Sequence, residues 1–117
     1  MSVYAPQLAT IANQLKVYAA AVGAKLLFGI TSPMLADLSA DNDVCELNRR
    51  AAMVMEQAKV PTINMHDAIT NKCGAAPQAT CFNQSGCFSP HCGGDGGVGY
   101  QWLAETTIVP ALTKLLL

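Results

Sequence analysis

Two runs, Leu26-Leu27-Phe28-Gly29-Ile30 and Thr62-Ile63-Asn64-Met65, together with what lies between them, decide the fold. The first run is apolar throughout and too short for a helix, which predicts a strand buried on both faces. Ser32-Pro33 breaks it, and residues 32–42 read as a loop. Asp43 and Glu46 then form an acidic variant of the capping box, with Asp43 as N-cap and Glu46 reaching back from the third helical position. Val44, Leu47, Ala51, Val54, Met55 and Ala58 recur at three- and four-residue steps and give that helix one apolar stripe. Pro61 limits it before the second strand at 62–65. Two strands joined by a helical crossover of this length make a parallel βαβ unit, so the class is α/β.

Upstream, residues 6–22 carry Leu8, Ile11, Ala12, Leu15, Tyr18, Ala19 and Val22 at helical spacing, and Gly23 suits the end of that helix. Downstream, residues 66–98 hold Cys73, Cys81, Cys87, Cys92 and the run Gly93-Gly94-Asp95-Gly96-Gly97 with no apolar period, which predicts a long irregular Cys/Gly-rich loop. From Gly99 a helical pattern returns through Tyr100, Leu103, Ala104 and Ile108, and Pro110 is expected to kink it.

The 117 residues suffice for a single domain. Hydrophobic residues make up 51% of the chain and charged residues 13%, against about 25% charged in typical soluble domains. Mean hydropathy is +0.27. Surface that charge does not cover predicts a protein partner, and a homodimer is the simplest form of it. A net charge of -1 with scattered charges excludes an electrostatic footprint for nucleic acid or for a membrane surface. Lys16, Lys25, Asp37 and Asp41 interrupt the apolar first third, so no run can span a bilayer. The opening residues lack a signal peptide's basic and apolar regions, whereas the dense cysteines and the glycosylation pattern Asn83-Gln84-Ser85 suit a secreted parent. Localisation stays unassigned on these signs.

The spacing of the loop cysteines, Cys-x7-Cys-x5-Cys-x4-Cys, lacks the short knuckles of a zinc site, so two disulfides are favoured over a metal. Cys81 with Cys87 nested inside Cys73 with Cys92 is the preferred connectivity, because both rings are short. Cys45, in the first turn of its helix, reads as a small buried residue.

The order of a strand ending in Thr31-Ser32-Pro33, a helix containing Leu47-Asn48-Arg49-Arg50-Ala51, a strand ending near His66-Asp67, and one histidine ahead of Gly99-Tyr100-Gln101-Trp102-Leu103-Ala104 resembles the C-terminal half of SGNH/GDSL-type hydrolases. The resemblance covers most of the chain. It implies a partial three-layer α/β sandwich with a short parallel sheet, a flavodoxin-like half-fold over residues 1–117, and ester hydrolysis on a small ester substrate. It also implies that His91 is the catalytic histidine and that Asp67 closes the strand before it. The sequence departs from the family in two respects. It has no Gly-Asp-Ser turn for the nucleophile, and Phe88 stands where the family carries an acid three residues before the histidine.

The residues themselves support parts of that assignment. An imidazole titrates near neutrality and is the usual base for a hydroxyl nucleophile, which makes His91 the first candidate. Asp67 follows a parallel strand at its carboxyl end, where it would orient His91 or cap the next turn. Ser89 supplies a hydroxyl two residues from His91, and Ser32 a second one; either also suits a turn. No cofactor and no metal is assigned. Two further functions stand beside the esterase: a non-catalytic oligomeric binding or assembly module, and a metal-assisted hydrolase using His66, Asp67, His91 and a cysteine.

Overall fold

The computed structural model describes residues 2–33, 38–75, 81 and 98–117. Helix α1 spans Tyr4–Val22 and ends as its sequence predicts, on Gly23 in the left-handed region at φ 69°. The Ala24 N–H donates to the Ala19 carbonyl at 2.8 Å and the Gly23 N–H to the Ala20 carbonyl, the paired bonds of a Schellman end.

Helix α2 spans Leu38–Ala58, starting five residues before the expected Asp43 cap. Asp41 lies in its first turn, where an acidic group complements the helix dipole. Asp43 is therefore inside the helix, and Glu46 turns forward to bind Arg49 and Arg50 at 2.7–2.9 Å. An ion pair at three- and four-residue spacing replaces the capping box. At its other end Lys59 takes the left-handed conformation at φ 57°. The Val60 N–H donates to Met55 and the Lys59 N–H to Glu56, a second Schellman end. Lys16 of α1 donates its ammonium to the Ala58 carbonyl, satisfying one acceptor that the helix end leaves open.

Ala12 of α1 packs against Val54, Met55, Ala58 and Val60, with Leu8, Leu26 and Phe28 at the margin. Small side chains at Ala12 and Ala19 let the two helices approach closely, and Met55 is 2% exposed. Truncating a Met so enclosed costs about 2–5 kcal/mol.

Strands β1 (Phe28–Ile30) and β2 (Thr62–Asn64) pair in parallel, with Gly29 opposite Ile63. The βαβ reading holds in this respect, and the class is mixed α/β with a larger helical share than the sequence led us to expect. The strands are shorter than expected, and Gly29 is exposed, so β1 is not covered on both faces.

The expected loop at 66–98 is corrected at its start, where helix α3 runs over Met65–Cys73. Asn64 caps it: its side-chain oxygen accepts from the Asp67 N–H at 2.9 Å while its amide nitrogen donates to the Asp67 carboxylate at 3.0 Å. The cap is therefore Asn64 and not Asp67, whose carboxylate at the third helical position accepts a second bond from the Asn64 side chain. Ile69, 1% exposed, anchors the helix.

Helix α4 (Val98–Leu103) passes through a wide π-type turn at Ala104–Ile108 into helix α5 (Val109–Leu116). Pro110 has no N–H to continue the ladder, and the extra width of the preceding turn absorbs that loss in place of a sharp break. Leu103 is buried, and Lys72 of α3 lies over the Trp102 ring at 5.9 Å.

The disulfide expectation is also corrected. Cys73 bonds Cys81, tying the end of α3 to the chain eight residues on. That ring is shorter than the Cys73 to Cys92 ring proposed from the sequence, so it needs less loop closure. Cys87 and Cys92 lie outside the described residues. Cys45 is exposed and free, contrary to the buried role expected of it.

Candidate functional site

Parallel strands aim the chain that follows them at one edge of the sheet, and both β1 and β2 deliver polar residues there. After β1, the Asn48 side chain accepts from the Thr31 N–H at 3.1 Å and donates to the Thr31 carbonyl at 2.8 Å. After β2 come Asn64, His66 and Asp67, the first and last of them joined by the two bonds of the cap at the start of α3.

Asp41 and Cys45 are four residues apart on α2 and so share a face. That face meets His66. The His66 Nε2 lies 3.4 Å from Cys45 Sγ and 3.4 Å from Asp41 Oδ2, and the Cys45 thiol donates to Asp41 Oδ2 at 3.8 Å. Asp41 is buried, His66 half-buried and Cys45 exposed, so the group lies at the boundary of core and solvent. A shallow depression bounded by Asn42, Asp67 and Thr70 opens onto all three. A second, bounded by Ile30, Asn48 and Asn64, also reaches Cys45, His66 and Asp67.

Partial desolvation pushes the Cys45 thiol up from its ordinary value, and the Asp41 carboxylate pushes it further by charge and by accepting its hydrogen bond. A thiol so placed stays protonated at neutral pH, which disfavours its use as an unaided nucleophile. On the far side of the imidazole, His66 Nδ1 faces Asp67 Oδ1 at 3.8 Å.

Of the residues expected from sequence, Asp67 is at this edge, with its side chain largely exposed. His66, weighed as the lesser histidine, is the one the structure brings into contact with other chemistry-bearing groups. Ser32 is half-buried in the chain following β1. His91, Ser89, the glycine run at 93–97 and the Asn83 pattern lie outside the described residues. Sequence reasoning missed Asp41 and Cys45 as partners because it placed residue 41 in a loop; once α2 begins at Leu38, their four-residue spacing is the signal.

Comparison with family models, with curated proteins and with solved structures finds no match to the chain.

Proposed function

We propose that the chain carries the histidine end of an SGNH/GDSL-type ester hydrolase or of a truncated relative of one. The observation that carries this reading is the parallel β1–α2–β2 unit, with Asn48 clasping Thr31 at the end of β1 and Asp67 one helical turn beyond β2. In this reading the two strands belong to a three-layer sandwich. His91 is the base, Asp67 the residue that orients it, and Ser89 the hydroxyl nearest to His91 in the sequence. The hydroxyl oxygen attacks the ester carbonyl carbon as the imidazole takes its proton, and the imidazolium returns that proton to the departing alcohol; water then releases the acid by the same two steps.

The test is turnover of a chromogenic short-chain ester by the 117-residue chain. Turnover that survives a chelator and stops on treatment with a serine-directed covalent inhibitor supports the reading, and mapping the adduct identifies the nucleophile. No turnover, or turnover that the inhibitor leaves intact, overturns it.

A homodimer is part of the proposal, and α1 supplies the observation for it. Ile11, Leu15, Tyr18 and Val22 are all at least 45% exposed and lie along one side of that helix. Light scattering coupled to size exclusion is expected to give at least twice the 12.3 kDa chain mass at micromolar concentration. A soluble monomer contradicts it.

A further inference from the structure

Asp41, Cys45 and His66 present one carboxylate oxygen, one sulfur and one ring nitrogen to a common point. Bond lengths of about 2.0–2.3 Å from zinc to such atoms set the edges of a tetrahedral ligand shell at about 3.3–3.6 Å. The three separations found are 3.4 Å, 3.4 Å and 3.8 Å. The sulfur-to-oxygen edge alone is long, by a few tenths of an ångström, and Cys45 is exposed and can adjust.

We propose that Asp41 Oδ2, Cys45 Sγ and His66 Nε2 bind a divalent ion of the zinc class, with the fourth position open to solvent through the depression beside Thr70. The convergence of the ligand atoms favours an ion over a proton relay. Cys45 Sγ and Asp41 Oδ2 both converge on Nε2, where a thiol–imidazole–carboxylate relay would place only the thiol. Asp67 Oδ1 stands 3.8 Å behind Nδ1, on the side where a second carboxylate supports a metal-binding imidazole. The ligands come from rigid elements, two from one face of α2 and one from the first turn of α3. Three protein ligands and one open position are the pattern of zinc sites that polarise water or substrate, not of closed structural ones. The three ligands are separate from the esterase reading, which uses His91, Asp67 and a serine.

The experiment titrates cobalt(II), then zinc, into the full chain after chelator treatment and dialysis, and reads the visible absorption of tetrahedral cobalt with its thiolate charge-transfer band. One cobalt per chain, displaced by zinc, is expected. The sulfur band should vanish in Cys45→Ala and His66→Ala and persist in the Cys87→Ala/Cys92→Ala double variant, with circular dichroism confirming that each is folded. Asp67→Asn should keep the spectrum and weaken affinity by about 10–100-fold. A sulfur band that survives Cys45→Ala, or an octahedral spectrum with no sulfur band, overturns the proposal. Because the readout is spectroscopic, its failure is separate from any failure of ester turnover.

Discussion

The Asn48 amide pairs with both backbone groups of Thr31, accepting from its N–H at 3.1 Å and donating to its carbonyl at 2.8 Å. A side chain thereby takes the place of a neighbouring strand at the point where β1 ends, and holds α2 in register with the sheet. Asn48→Ala removes both bonds and is expected to lower stability by about 1–2 kcal/mol, measured by urea unfolding. Asn48→Asp keeps the acceptor and loses the donor, so it should fall between the two. An Asn48→Ala variant as stable as the parent would show that the clasp contributes nothing.

Lys59 ends α2 with φ at 57°, a conformation that costs a side-chain-bearing residue about 1–2 kcal/mol relative to glycine. Lys59→Gly is expected to raise the unfolding midpoint in urea, with a gain near 1 kcal/mol after the entropy that glycine adds to the unfolded chain. A lowered midpoint would mean that the lysine side chain contributes more than its backbone strain costs.

Glu46 is held at about 2, well below its ordinary 4.5, first by the hydrogen bond from Arg49 and then by that from Arg50. A depressed carboxyl contributes stability that is present above its unfolded value and is lost as pH falls through the folded one. The stability gap between parent and Glu46→Gln should be constant above about pH 5 and close between about pH 4.5 and 2. A gap that does not change with pH in that window would contradict the assignment.

Peptide mapping without reductant should join Cys73 to Cys81 and find Cys45 alkylated. A Cys73-to-Cys92 peptide would restore the connectivity read from spacing and remove the observed bridge.

Local rules read from the sequence succeeded where one rule acted alone. Gly23 ends α1, and the run containing Phe28 and the run containing Ile63 pair in parallel. They failed where two compatible signals competed. Asp43 and Glu46 match a capping box, but Glu46 has two arginines within reach and Asp41 serves the first turn. The run 62–65 reads as strand throughout, and only the bonds from Asn64 to Asp67 reveal that the strand gives way to a helix cap there. The candidate site was half legible: position after a parallel strand marked His66 and Asp67, while Asp41 and Cys45 are 25 and 21 residues away from His66 and meet it only where the fold brings the first turn of α3 beside the start of α2.

The most direct test of the esterase proposal compares short-chain ester hydrolysis by the parent with His91→Ala and His66→Ala, each verified as folded. The proposal predicts that His91→Ala lowers the rate by about 10²–10⁴-fold, the usual contribution of a general base, while His66→Ala stays within a few-fold of the parent. Equal, undiminished rates in both variants, or a loss confined to His66→Ala, would contradict it.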